Sequence, residues 1–361
     1  MDLSSQQLSF LKKEADPTLN WVRESIAVNK GLGSSAFFSR IRYPMKGWAP
    51  PYPETTGYLI PTLLQYQEIL KDPLLLSQAK LCGEWLLSIQ SKEGWFPALY
   101  QDSGIPSLFN TGMILFGLEG MFAKTGEDRY LKVIEIAVHW MANFAKENDW
   151  KETKSVNRST YYVRALWGLT LANQVVKDET LNEFCVLSLR SFSESIQADG
   201  WINNWAFEGY ASAFTHTMAY TWRGFLETSH LLKEDIVFES ARRSFKIFTD
   251  KVGHPENIAG AYKGGFEKDG SFHCLPGLFQ LSIVSFRFYE LTCDFHFLNW
   301  GILCFEKGMT MRTPGWYGKE GGIFGSYPAM GKYMRFKQPN WGAKFYLDAL
   351  ELYVKYKEEL P

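Results

Sequence analysis

One pattern recurs six times along the chain: a short polar cluster, then an apolar helical stretch, and usually a second helix. The six starts read PETTGYLIPTL from Pro53, FNTGMILFGL from Phe109, RSTYYVRALWGL from Arg158, FTHTMAYTWRGFL from Phe214, HCLPGLFQLSIVSF from His273 and QPNWGAKFYLDAL from Gln338. They lie roughly 50 to 65 residues apart, a period that predicts an array of helical hairpins. Six hairpins in one chain can close into a ring, and the polar starts then converge at one mouth.

The helix-period reading is consistent from end to end. Tyr58–Lys71 pairs with Leu74–Gln90, which opens after Asp72-Pro73, where proline suits a first helical turn. Asn110–Lys124 stops at Thr125-Gly126 and returns as Asp128–Lys146. Ser159–Gln174 pairs with Thr180–Ile196, Thr215–Leu232 with Glu234–Lys251, and Leu275–Leu291 with Phe295–Lys307. Asn340–Tyr356 has no partner downstream, and a helix around Pro17–Asn29 supplies one. The first helix of each hairpin, which carries the polar start, is rich in Gly, Ala, Leu and aromatics, whereas the second carries more Lys, Glu and Arg. A helix apolar nearly all round is buried and one with a charged face lies outside. The expectation is an all-α chain with one domain over residues 1–361, an (α/α)6 toroid of two concentric rings. An open helical solenoid is the alternative, and long Gly-rich insertions at 251–273 and 308–339 favour specialised loops over a site.

Composition excludes several classes. Net charge is −1, so no basic field would draw nucleic acid. No run of 18 apolar residues spans a membrane, and the N-terminus MDLSSQQLSFLKKEADPTLNW lacks the apolar core of a secretory signal, which predicts a cytoplasmic protein. Cys82, Cys185, Cys274, Cys293 and Cys304 stand singly, without a CxxC pair, so no disulfide scaffold or structural metal is expected. No GxSxG, HExxH or nucleotide-binding fingerprint occurs, and no cofactor is expected. Aromatic content is 16%, which fits either a bulky core or a groove that stacks on sugar rings.

Two hairpin ends, LLSIQSKEGW up to Trp95 and SESIQADGW up to Trp201, are similar to the glutamine–glycine–tryptophan turns of terpenoid-cyclase and prenyltransferase toroids. The phrase NTGMILFGLEGMFAKTGEDRYLKVIEIAVHWM at 110–141 resembles the hairpins of carbohydrate-active toroids. Those are unsaturated-glucuronyl hydrolases, uronate lyases and glucuronyl C5-epimerases, and the chain also resembles proteins of bacterial polysaccharide clusters. The aspartate-rich DxDD acid motif of the cyclases does not occur, nor does the Cys/His/Asp ligand set of the zinc toroids.

In FTHTMAYTWRGF, His216, Tyr220 and Arg223 share one helical stripe. Arg can neutralise a substrate carboxylate while His or Tyr moves protons; the alternative is a buried helix with a structural histidine. In RSTYYVRALWGL, Tyr161 and Arg164 lie on one face, behind Ser159 or Thr160 as a helix cap. Glu54 stands just before a helix, at its positive end, as a general acid or base, a sugar-hydroxyl ligand or simply a cap, with Tyr58 one turn on. Asn110 is either a cap or a hydrogen-bond partner for substrate. WINNWAFEGY offers Trp201, Trp205 and Glu208 as a sugar platform, and the basic, aromatic loop before the last helix offers Arg335 and Trp341.

The chemistry expected is carbohydrate processing on an acidic, uronate-containing oligo- or polysaccharide by β-elimination or epimerisation. His216, Tyr220, Glu54 and Tyr161 are its catalytic candidates, and Arg223, Arg164, Asn110, Tyr58, Trp201, Trp205, Glu208, Arg335 and Trp341 its binding candidates. The alternatives are a glycoside hydrolase with paired carboxylates, Glu54 and Glu208, a terpenoid or prenyl cyclase, and a non-enzymatic helical scaffold.

Overall fold

The computed structural model describes residues 3–152, 158–207, 210–313, 315 and 317–360. Among them twelve α-helices follow in order: α1 (Ser5–Ala27), α2 (Pro53–Leu70), α3 (Pro73–Ile89), α4 (Leu108–Thr125), α5 (Asp128–Asn148) and α6 (Val163–Val176). They continue with α7 (Glu179–Ser193), α8 (Thr215–Leu232), α9 (Asp235–Val252), α10 (Leu275–Thr292), α11 (Phe295–Thr310) and α12 (Asn340–Tyr356). Helix α2 packs on α4, α4 on α6, α6 on α8, α8 on α10, α10 on α12, and α12 back on α2. The even-numbered helices thus form a closed inner ring, and α1, α3, α5, α7, α9 and α11 lie outside it. The fold is an (α/α)6 toroid, with α1 completing the hairpin of α12. No described helix is long and apolar enough to cross a membrane.

Burial follows the two rings. Along α10 every residue from Leu275 to Phe286 is buried. Outer helix α5 buries only Tyr130, Ile134, Ala137, Val138, Met141, Ala142 and Ala145, a stripe with helical spacing that faces inward.

The inner-to-outer turns share one device. Each of five inner helices ends on a left-handed residue, Lys71, Gly126, Lys177, Lys233 or Cys293. An acidic residue comes next: Asp72, Glu127, Asp178, Glu234 or Asp294. Three of these cap the outer helix, with Asp72 accepting from the Leu74 N–H, Asp178 from Leu181 and Asp294 from His296.

Glycines set how close the inner helices come. A Cβ on Gly168 of α6 would lie 2.0 Å from the Gly112 carbonyl oxygen of α4, and one on Gly117 would lie 2.3 Å from that of Gly57 in α2. Gly224 in α8 and Gly277 in α10 meet the preceding inner helices just as tightly, at 2.7 and 2.3 Å. The apolar, Gly-rich character of these segments therefore reflects backbone-to-backbone packing around the ring.

Short antiparallel bridges brace the loops at the N-terminal end of the inner ring. Phe37–Phe38 pairs with Gln338–Pro339, Phe96–Pro97 with Pro106–Ser107, Ala213–Phe214 with Ala261–Lys263, and His273–Cys274 with Ser326–Tyr327. These small pairings carry no periodic strand signal in the sequence.

Candidate active site

Five of the six inner helices place their first turns, or the residues just before them, around one cavity of about 360 Å3. Its wall includes Tyr52 and Glu54 from α2, Ser107, Phe109 and Asn110 from α4, Tyr161 and Tyr162 ahead of α6, His216 and Tyr220 from α8, and Trp341 from α12. Loop residues Ala98, Leu99, Glu152, Phe207, Tyr333 and Met334 complete it.

Glu54 is the second residue of α2, not the residue before it, because the helix opens at Pro53 with Tyr52 extended as its cap. Burial pushes its carboxyl up to about 7; the Tyr52 hydroxyl and the Arg164 charge oppose that shift, and Glu152 adds to it. The Tyr52 hydroxyl also meets Asn110. Asn110 is not the cap of α4: Ser107 is, its hydroxyl accepting from the Asn110 N–H at 3.0 Å, while Asn110 Nδ2 donates to the Pro97 carbonyl at 2.8 Å.

Glu152 is the second acid of the mouth. Its Oε1 accepts from the Ser107 hydroxyl at 2.8 Å and from the Phe109 N–H at 2.6 Å, at the positive end of α4.

His216 Nδ1 lies 2.8 Å from Gln280 Oε1, which makes Nδ1 the donor and leaves Nε2 as an acceptor on the cavity side. Burial lowers the imidazole to about 3, a shift that the Gln280 bond opposes and the Arg164 charge reinforces, so the ring is neutral. Tyr220 stands 4.4 Å away, centroid to centroid, with Tyr333 at 5.1 Å and Trp341 at 6.2 Å. Trp341 in turn donates from Nε1 to the Tyr333 hydroxyl at 2.9 Å.

The structure thus brings together Glu54, His216, Tyr220, Tyr161, Asn110 and Trp341, and places the other candidates elsewhere. Arg223 shares the stripe of His216 but lies two turns deeper, where its Nε is 2.6 Å from Glu227. Arg164 is buried under Tyr220, with its guanidinium over the ring of Trp167. Tyr58 is buried below Glu54 and stacks on Phe345. Trp205 is sealed among Trp201, Trp222 and Phe266, so this pair packs a loop onto α8 and is not a platform at the mouth. Arg335 is exposed over Phe336 and does not line the cavity. Glu208 lies outside the described residues.

Sequence reasoning missed Glu152, Tyr52, Tyr162, Tyr333 and Gln280. Tyr52 and Tyr162 adjoin residues already singled out, a signal that was open to use. Glu152 and Tyr333 sit in loops, where no period says which way a side chain points. Among the described residues no group of three or more His, Cys, Asp and Glu side chains is placed to hold a metal ion.

Comparison with solved structures gives one consistent answer. The chain resembles a cellobiose 2-epimerase from Bacillus thermoamylovorans at a TM-score of 0.71 and 13% identity, covering 96% of this chain and all of that one. An unsaturated glucuronyl hydrolase specific for heparin matches at 0.74 and 14% identity, over 97% and 98% of the two chains. A sugar epimerase from a ruminal bacterium matches at 0.70 and 10%, over 95% and 98%. The chain has the fold of these sugar-processing toroids. No family model and no curated protein matches it.

Proposed function

We propose that the chain is a glycan-processing hydrolase that takes the end unit of an oligosaccharide into the mouth cavity and protonates it from Glu54. One observation carries this reading: a carboxyl held near 7 at the start of an inner helix, in an aromatic-lined cavity that also presents Glu152. A carboxylic acid protonated near neutral pH can donate to a leaving oxygen, while a second carboxylate assists the incoming water. Hydrolysis gains over elimination because Glu152 joins Glu54 at the mouth whereas Arg223 is paired with Glu227 below it.

The substrate class we favour is uronate-containing, as with the heparin-specific hydrolase of the same fold. Among the described residues no Lys or Arg lines the mouth, so a sugar carboxylate would be held by neutral donors: Asn110 and the phenols of Tyr52, Tyr161, Tyr162 and Tyr333. The flat faces of Phe109, Phe207 and Trp341 suit the apolar faces of sugar rings. The five free cysteines fit a cytoplasmic site of action.

Epimerisation is the second reading, favoured by the neutral His216 whose Nε2 can take a carbon-bound proton. The test is a panel of unsaturated-glucuronyl, saturated uronyl and neutral oligosaccharides. It should follow loss of the unsaturated chromophore, release of reducing ends and solvent deuterium uptake. With the saturated uronyl and neutral members, reducing ends with no deuterium at carbon support hydrolysis, and deuterium uptake without cleavage supports epimerisation. With the unsaturated member, loss of the chromophore itself adds one solvent deuterium to carbon, so there the release of reducing ends is the readout. Full turnover by Glu54→Gln would overturn the acid role given to that residue.

A further inference from the structure

Beneath the mouth, on the axis of the ring, lies a second and smaller chamber of about 50 Å3. Arg164, Arg223, Lys344, Asp348 and Gln280 give it its polar lining. Its charges do not balance. Arg223 is paired with Glu227, and Lys344 with Asp348. Arg164 makes neither an ion pair nor a hydrogen bond with any described residue. It is 5% exposed, its Nε is buried without a partner, and its guanidinium touches only the ring faces of Trp167 at 4.3 Å, Tyr220 at 5.1 Å and Phe116 at 5.2 Å. Each ring face stabilises a desolvated cation by about 2 kcal/mol, but a ring face accepts no in-plane hydrogen bond, so the guanidinium N–H groups taken out of water are left without acceptors. Buried charges are as a rule paired or hydrogen-bonded. The acids whose charge reaches Arg164 are Glu227 and Asp348, each bound to another cation, and Glu54, whose carboxyl is held near 7, so none is a direct partner.

We propose that the chamber binds one small monovalent anion, of halide size, between the Arg164 guanidinium and the Lys344 ammonium. Size and charge select this ligand. A liquid water takes about 30 Å3 and a site needs roughly 10–15 Å3 of open volume, so the chamber holds a monatomic anion with a water or two, but no sugar ring. Tyr220 and Gln280 stand between it and the mouth, and Gln280 faces both, through its bond to His216 and its place in the chamber lining. The donors available to an anion are the Arg164 N–H groups, the Lys344 ammonium and the Gln280 amide; Asp348 is held away by Lys344 and by the Thr62 hydroxyl at 2.7 Å. The anion would offset the extra positive charge of the axis without using any group of the mouth.

Two measurements on the whole chain decide the matter. Crystals grown in bromide, with data at the bromine edge, should show an anomalous peak in the chamber within contact of Arg164. Thermal midpoints should rise by about 3 °C or more from zero to ~0.2 M chloride or bromide, and much less in methanesulfonate at the same ionic strength, since only a ligand that binds the native state stabilises it. Arg164→Met should erase the difference between the salts. If that variant does not fold, the bromide peak on the unaltered protein still decides. An empty chamber in bromide, peaks on the surface alone, or equal midpoints in chloride and methanesulfonate would overturn the proposal.

Discussion

His216 of α8 and Gln280 of α10 meet across two neighbouring inner helices, ring nitrogen to amide oxygen at 2.8 Å. The bond fixes the tautomer of the imidazole, with the proton on Nδ1. It also makes His216 a packing element, because Tyr220, Tyr333, Phe345 and Trp341 surround it. His216→Ala should therefore cost about 2–4 kcal/mol of stability as well as activity, since it opens a cavity and strands the Gln280 oxygen. Chemical denaturation and single-turnover kinetics on the same variant separate the two effects; an unchanged denaturation midpoint would refute the packing role.

The histidine also sets an acid limit. Its native value of about 3 lies below the ordinary 6.5, so the unfolded chain binds a proton that the native chain does not. The stability this represents is complete above 6.5 and is lost as pH falls from there toward 3. His216→Gln should flatten that decline in denaturation curves measured from pH 7 to pH 4.

Glu54 acts in the opposite direction. Its native value of about 7 exceeds the ordinary 4.5, so its contribution is complete below 4.5 and is lost as pH rises through 7. Glu54→Gln should thus raise stability at pH 8, by up to about 3 kcal/mol, and leave it nearly unchanged at pH 4. Turnover should fall by roughly 10²–10⁴-fold in the same variant, the usual contribution of proton transfer. In the unaltered protein, turnover should decline as pH rises through 7.

Glu152→Ala removes an acceptor at the first turn of α4 together with the second acid of the mouth. The loss of a capping interaction costs about 1 kcal/mol. Glu152→Gln retains an acceptor oxygen, so it should recover most of the thermal midpoint and none of the turnover. Recovery of both would assign Glu152 to structure alone.

The close approach of α4 and α6 is open to a clean test. Gly168→Ala puts a methyl 2.0 Å from the Gly112 carbonyl oxygen, and the inner ring must spread to admit it. Overpacking of this kind costs roughly 1–3 kcal/mol or more, which outweighs the ~1 kcal/mol that alanine gains over glycine in a helix. Gly120→Ala on α4 is the control, because its nearest new neighbour is Leu64 Cδ1 at an ordinary 3.5 Å. The first variant should melt lower and the second at or above the unaltered chain.

The ring was legible in the sequence because period and polarity report it directly: six starts, Gly-rich inner helices and charged outer ones. The mouth was legible in part. A helical stripe gives direction around the axis but not depth, and seven residues advance about 10 Å along a helix. That advance takes Arg223 from the rim, where His216 stands, to the Glu227 pair below. Trp201 and Trp205 misled for another reason, since tryptophan beside asparagine describes a sugar platform and a loop-to-helix packing knot equally well. Glu152 carried no signal because its place depends on where the chain runs after α5.

The small antiparallel bridges before α4, α8, α10 and α12 separate two kinds of evolutionary change. Each anchors a loop at its foot, so residues can be inserted or exchanged beyond the anchor while the first helical turn stays where it is. His216 belongs to one of those turns and Glu54 to the first turn of α2, whereas Tyr333 and Met334 belong to a loop. Grafting the 328–337 loop from another toroid should therefore change which glycan ends are admitted and leave the proton chemistry in place, so that new specificities arise without rebuilding the catalytic step.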